Sequence, residues 1–238
     1  MLYYTIIEMK TLIVGRGEIG LALEAVLFDY SPTILDIDDM AYGEEFDIMH
    51  VAFPYSDQFI SEVKRYQKQY KPLHTIIHST VPVGTSAQLG SISSPVTGIH
   101  PHLEKSLLTF TKFLGGGEAS EVANYFRRVG MKVYLCDKAE TLELAKLSQT
   151  TFYALMVEYV KDLKRHCDEL DIPFSDAYTL FAQNYNTGYN KLGYPEFTMP
   201  LLVPIMKQQG GHCTIPNCDL WDTDFTRFIK ELNARNET

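Results

Sequence analysis

The chain has 238 residues, 45% of them hydrophobic and 21% charged, with a formal net charge of −9. That length buries a sizeable core in one large or two small domains. The acidic balance, without any basic stripe to neutralise phosphates, argues against nucleic acid as a partner, and no apolar run approaches the roughly 18 residues of a membrane-spanning helix.

Residues 1–9 are short, apolar and acidic, and read as an edge strand or a cloning remnant rather than a secretion signal. From Lys10 to Asp137 short apolar runs alternate with helix-like stretches. The expected strands are 10–14, 33–36, 48–53, 75–79, 96–100 and 132–136; the expected helices are 19–27, 56–69, 87–89 and 120–129. Such alternation predicts an α/β fold, a Rossmann-type doubly wound and mostly parallel sheet with helices on both faces, over residues 1–138. The strands are near-continuous apolar runs, as strands covered on both faces should be.

Beyond Lys138 the character changes. Residues 139–170 hold no Gly or Pro and carry apolar side chains at helical spacing, which predicts one helix roughly 48 Å long. Asp171-Ile172-Pro173 should end it. A helix at 175–184, a turn rich in Tyr, Asn and Gly at 185–193, an apolar helix at 199–206 and a closing helix at 223–232 complete a helical domain of residues 139–238. Cys136, Cys167, Cys213 and Cys218 form no regular framework, which suits a reducing, cytoplasmic setting.

Two motifs far apart carry the chemistry. Gly15-Arg16-Gly17-Glu18-Ile19-Gly20 lies between a strand and a helix, and Asp36 ends the next strand. In a dinucleotide site Gly15 makes the tight turn, Gly17 lets the pyrophosphate approach, and Gly20 lets the helix close on the sheet. The amides near Glu18 and Ile19 face the phosphates, and Asp36 accepts hydrogen bonds from the ribose hydroxyls. Asp38 and Asp39 add negative charge that repels a 2′-phosphate, so NAD is expected over NADP. Phe53-Pro54 and Ser79-Thr80 end two further strands, where open α/β sheets hold ligands.

The second motif is Gly210-Gly211-His212-Cys213, a thiol whose backbone is free to approach a ligand. A nearby cation, from His212 or Lys146, would activate it; a free cysteine is otherwise a small buried hydrophobe. Lys146 lies on the long helix with Glu143 and Thr150 on the same face, and a helical lysine is more often simply solvated. Cys213 and Cys218 lack a second ligand pair, so no metal is expected. His100-Pro101-His102 reads as a strand end lining the cleft.

With Gly15–Gly20, Asp36, Ser79-Thr80-Val81-Pro82, Glu143–Lys146 and Gly210–Cys213 in order, the chain resembles the nucleotide-sugar (UDP-glucose/GDP-mannose) dehydrogenase family, and more distantly the 6-phosphogluconate and 3-hydroxyacid dehydrogenases. The resemblance runs from Lys10 to about Asp224 and implies a shortened form without the family's third, nucleotide-sugar-binding domain. It implies NAD-dependent oxidation of a sugar alcohol through a thiohemiacetal on Cys213, with Lys146 stabilising the oxyanion, both facing the nicotinamide near Thr80. It also implies dimerisation through the long helix, a homodimer being the expected assembly and a sugar, sugar nucleotide or hydroxy acid the expected small-molecule substrate. The family's Pro-Glu-Phe-Leu segment is Thr111-Lys112-Phe113-Leu114 here, and its asparagine four residues after the lysine is Thr150. Two other readings stay open: a two-electron hydroxy-acid dehydrogenase using Lys146, and a catalytically silent NAD-binding protein.

Overall fold

The structure is a computed structural model that describes residues 9–36, 39, 41, 43–211 and 213–236. The expectations for residues 1–8, Asp38 and His212 lie outside the described residues. Residues up to Lys146 form one compact unit and those from Leu147 a second.

The first unit is built on seven strands: β1 (Thr11–Val14), β2 (Thr33–Leu35), β3 (Ile48–Val51), β4 (His74–Ile77), β5 (Ile92–Ser93), β6 (Lys112–Gly115) and β7 (Val133–Cys136). Their order is β2-β1-β3-β4-β5-β6-β7. All neighbours pair in parallel except β5 and β6. Helices α1 (Glu18–Val26), α2 (Phe59–Tyr70), α3 (Thr85–Gln88), α4 (Leu103–Thr109) and α5 (Ala119–Arg128) connect them. This is the mostly parallel, doubly wound sheet that the sequence pattern implies.

Alternation along each strand divides the interior into two layers. Ile13, Ile48, Ile76, Ile92 and Leu114 face one side, packed with residues of α1, α4 and α5. Leu12, Val14, Met49, Val51 and Ile77 face the other, packed with Phe59, Val63, Tyr66 and Tyr70 of α2.

Two strands depart from the sequence reading. The run 96–100 is not a strand; the fifth strand is the two-residue β5, a little earlier. β6 goes unseen in the sequence because a lysine opens it and a glycine closes it, and both read as turn residues.

Helix α6 (Ala139–Glu169) spans 31 residues, and the division between units falls within it, at Lys146–Leu147. Asp171 stops it in the left-handed conformation (φ 55°) just ahead of Pro173. A π-helical turn, Ser175–Leu180, then leads into α7 (Phe181–Leu192), so the expected turn at 185–193 is mostly helix, ending at Gly193 (φ 82°). Conversely, the apolar run 199–206 is not helical. Pro200 and Pro204 remove amide donors and hold the preceding residues extended, and exposure alternates from Leu201 to Met206 with a period of two. Helices α8 (Ile215–Asp219) and α9 (Asp224–Ala234) follow, α9 opened by a reciprocal cap between Thr223 and Thr226. No helix among the described residues is long and apolar enough to cross a membrane.

An ion pair organises the second unit. Lys161 and Glu158 are 1% and 0% exposed and 2.9 Å apart. The Glu158 carboxylate also accepts from Gln209 Nε2 (2.7 Å) and Asn236 Nδ2 (2.8 Å), and Lys161 donates to the Lys207 carbonyl (2.7 Å). Segments 207–209 and 236 are thereby tied to α6. Removing one partner leaves a buried charge without compensation, so Lys161→Met is expected to lower stability by about 3–5 kcal/mol in urea unfolding.

Candidate functional site

The glycine loop leaves β1 and turns into α1 where the strand order reverses. The chain passes from β1 to β2 on one side and to β3 on the other, which is the switch point of an open α/β sheet. Gly15 has φ 106°, and a Cβ there would stand 2.8 Å from the Ala52 carbonyl carbon at the end of β3. Gly20 is pressed against Gly15, its hypothetical Cβ 1.9 Å from the Gly15 oxygen. Gly17 differs: nothing lies within 4 Å of where its Cβ would be. Two glycines are therefore required by packing and the third faces open space, a cradle that fits a pyrophosphate at the α1 N-terminus. Glu18 is exposed there and pairs with His100, while Ile19 is half-buried. Asp36 follows β2 and is exposed, its backbone N–H donating to Asp39 Oδ2 (2.9 Å).

The neighbouring strand ends are tied together. Ser79 donates its hydroxyl to the Phe53 carbonyl at 2.5 Å, joining the segments after β3 and β4, with Pro54 exposed and Thr80 half-buried beside them. Past Thr80 the chain turns at Gly84 (φ 96°) into α3. Glu143 of α6, 3% exposed, accepts from the Gly84 amide (2.6 Å) and the Ser86 amide (2.8 Å). One turn on, Lys146 donates to the Val96 carbonyl (2.8 Å) and is half-buried rather than solvated. The structure thus brings Lys146, the loop after Thr80 and the segment after β5 into one unit. Cys213 belongs to the second unit and is exposed; Cys167 and Cys218 are buried, and all four cysteines are free.

Sequence reasoning missed a polar chain inside the first layer of the core. Thr11 (β1), His50 (β3), His78 (just past β4) and Lys112 (β6) all point into that layer, beneath Tyr125 and Phe126 of α5, and all five polar side chains are buried. Tyr125 Oη lies 3.2 Å from Thr11 Oγ1 and 3.1 Å from His50 Nε2. His50 Nδ1 lies 2.8 Å from His78 Nε2, and His78 Nδ1 lies 3.0 Å from Lys112 Nζ. The signal available was a histidine or lysine at an inward position of β3, of β6 and just past β4.

Burial disfavours the charged form of each of these groups. It lowers His50 to about 3, assisted by the charge of Lys112. It lowers His78 well below its ordinary value, with Lys112 and His50 contributing in the same direction. It lowers Lys112 to about 7, assisted by the charge of Lys146, and raises Tyr125.

No family model and no curated protein matches the chain. Solved structures do. The chain superimposes on UDP-D-ManNAc dehydrogenase from Pyrococcus horikoshii with a TM-score of 0.74 at 16% identity, over 95% of this chain and 68% of that one. Against the UDP-glucose dehydrogenase of Pyrobaculum islandicum the TM-score is 0.69 at 12% identity, over 95% and 68%. The fold is that of the UDP-sugar dehydrogenases. A more distant likeness is to Psf3 in complex with NADP+ and 2-OPP, with a TM-score of 0.55 at 12% identity, over 94% of this chain and 93% of that one.

The polar chain makes stability depend on pH. Unfolded histidine takes up a proton near 6.5, whereas His50 in the fold does so only near 3 and His78 well below the ordinary value. The unfolded state therefore binds more protons across this window, so the histidine contribution is intact above about 6.5 and is lost as pH falls toward 3, while Lys112, lowered from 10.5 to about 7, adds a decline that begins below about 10.5. The urea midpoint should be lower at pH 5 than at pH 8, and His50→Gln should flatten that slope.

Proposed function

We propose that the chain is a dehydrogenase that binds NAD(H) at the Gly15–Gly20 loop and oxidises an alcohol of a sugar or sugar nucleotide. The observation that carries the reading is the glycine geometry: Gly15 and Gly20 packed without room for a Cβ, and Gly17 open at the switch point. Gly17, Glu18, Ile19 and Gly20 would hold the pyrophosphate, and Asp36 the adenosine ribose. Phe53, Pro54, Ser79 and Thr80 would border the nicotinamide end. Bound there, the dinucleotide supplies the hydride acceptor.

In this reading Lys146 supplies positive charge to the oxygen that becomes anionic as the alcohol is oxidised. Its tie to Val96 and the Glu143 clamp on Gly84 and Ser86 support a fixed position for that charge. Cys213 is the proposed nucleophile toward the aldehyde, a role resting on the resemblance and consistent with its exposure. A second copy of the chain is the proposed partner. Helix α6 leaves Phe152, Tyr153 and Tyr159 exposed, and α7 leaves Phe181 exposed at 71%, more apolar surface than a small monomer ordinarily shows. Free cysteines throughout suit the cytoplasm.

Calorimetric titration tests the cofactor: NAD+ is expected to bind more tightly than NADP+, with Asp36→Ala reducing that preference more than the affinity itself. Equal or stronger NADP+ binding would remove the role given to Asp36. Iodoacetamide should alkylate Cys213 ahead of Cys136, whose thiol is raised by burial and by the Asp137 charge, and NAD+ should slow the reaction. If Cys213→Ser retains full turnover to the acid, the nucleophile role falls. Light scattering at micromolar concentration should report a dimer.

A further inference from the structure

The segment 97–102 runs beside the glycine loop, and one of its side chains reaches it. His100 Nδ1 pairs with the carboxylate of Glu18, the first residue of α1. Glu18 directly follows Gly17, the glycine that faces open space. Both members of the pair keep contact with solvent, the His100 side chain being 49% exposed and that of Glu18 65%. A side chain at the first position of a helix leans toward the helix N-terminus. The pair therefore stands on the side of α1 from which a pyrophosphate would approach.

The backbone decides where His100 stands. A Cβ on Gly98 would come within 2.5 Å of Ser106 Cβ, so the segment lies directly against α4. Ser106 Oγ donates to the His102 carbonyl (2.8 Å) and accepts from the Ile99 amide (3.3 Å), and the His102 amide donates to the Ile99 carbonyl (2.8 Å). Helix α4 packs on α1, with Leu103 and Leu107 in one apolar layer with Ala22, Leu23 and Leu27. Just before the segment, the Val96 carbonyl accepts from Lys146. The fold thus carries His100 to the first turn of α1, and the ion pair, which at this exposure holds little by itself, only turns the ring.

Counting donors gives the chemistry. A carboxylate only accepts, so Nδ1 carries the proton that Glu18 receives. The neutral ring then has no proton on Nε2, and phosphate oxygens, which also only accept, find no donor there. A ring held in this way meets a pyrophosphate only by taking up a second proton. As the imidazolium it also offsets the Glu18 carboxylate, which otherwise opposes the pyrophosphate charge. We propose that His100 is a dinucleotide-binding residue: Glu18 orients the ring, Nε2 donates to a pyrophosphate oxygen, and a proton enters the site with the cofactor. This rests on the reading above in which the Gly15–Gly20 loop holds the pyrophosphate. Proton and cofactor bind cooperatively, and linkage makes the effect reciprocal. Affinity for NAD+ therefore falls as pH rises through the range in which histidine gives up its proton.

Among the described residues, the other charged or titratable groups close to this pair along the chain are Arg16 in the glycine loop and His102, Glu104 and Lys105 at the start of α4, all exposed. Of these residue types only histidine ordinarily titrates between pH 5 and 8, so His102 is the control for His100. Glu18→Gln separates orientation from binding. A carboxamide both donates and accepts, so the neutral ring can then carry its proton on Nε2 and meet the pyrophosphate without taking up another. The pH dependence is lost while the contact remains.

The experiment titrates the full chain calorimetrically with NAD+ and with ADP-ribose between about pH 6 and pH 9. Wild-type affinity should fall with rising pH, by at most about tenfold per unit for one linked proton. Repeating the titration at pH 7.5 in buffers of different ionisation enthalpy should show proton uptake on binding. His100→Gln should weaken binding about tenfold or more at pH 6, stay within about threefold of wild type at pH 9, and take up no proton. His102→Gln should keep the wild-type slope, and Glu18→Gln should lose the slope while binding at pH 6 stays within about threefold. In histidine NMR spectra, the ring resonance absent from His100→Gln should move toward the imidazolium position when NAD+ is added. Thermal melts establish that each variant is folded. If wild-type affinity is flat across this range, or His100→Gln keeps the slope, the His100 role is overturned and the cofactor reading stands. If neither NAD+ nor ADP-ribose binds the wild-type chain at any of these pH values, the cofactor reading fails and the His100 role fails with it.

Discussion

The parallel ladder continues past the ends of its strands, and the loops depend on that. The Gly15 amide donates to Leu35 O (2.8 Å), Ala52 to Val14 O (2.8 Å), His78 to Val51 O (2.9 Å) and Ser94 to Ile77 O (2.8 Å). Each loop thus begins already hydrogen-bonded to the next strand. Four strand ends are held in register by backbone alone, so side chains beyond them are free for other tasks. The contact of Gly20 with Gly15 is the tightest expression of this constraint, because helix α1 can close on the loop only where Gly20 carries no side chain, while a Cβ on Gly15 would meet the Ala52 backbone.

The same rigidity permits an expensive interior. Polar side chains in an apolar layer are costly unless each is paired, and a half-satisfied network is worse than none. Here every link from Thr11 to Lys112 lies at 2.8–3.2 Å. Parallel pairing sets the spacing: Ile13 stands opposite His50, and His50 opposite Ile76, so that Thr11 falls two residues below His50 and His78 two above. The chain crosses the sheet diagonally because side chains of one layer recur every second residue.

Much of the first unit was legible in the sequence. The β1–α1 turn, its three glycines and Asp36 follow from residue type and spacing, and α6 ends within one residue of the expected point because Gly and Pro are absent until Pro173. What escaped was decided by tertiary contacts. Lys112 opens a buried strand, which no propensity suggests. The stretch 185–193 is helical despite its Asn, Tyr and Gly content, since Tyr185, Tyr189 and Phe197 form a ring cluster along it. Glu143 and Lys146 were visible as a helical pair, but their partners at Gly84, Ser86 and Val96 are set by the fold. The contact of His50 with His78 is invisible in the sequence because it depends on the register of two strands.

Glu143 also makes one element dependent on another. The α3 turn starts at Gly84, which has no side chain with which to cap its own amides, so the cap arrives from a residue 59 positions downstream. A four-residue helix that cannot complete its own first turn gains its final geometry only when α6 docks. Closing a contact between residues so distant in sequence carries an entropic cost that a local cap would avoid. The loop beyond Thr80 therefore takes its final geometry from the first part of α6 rather than from its own sequence.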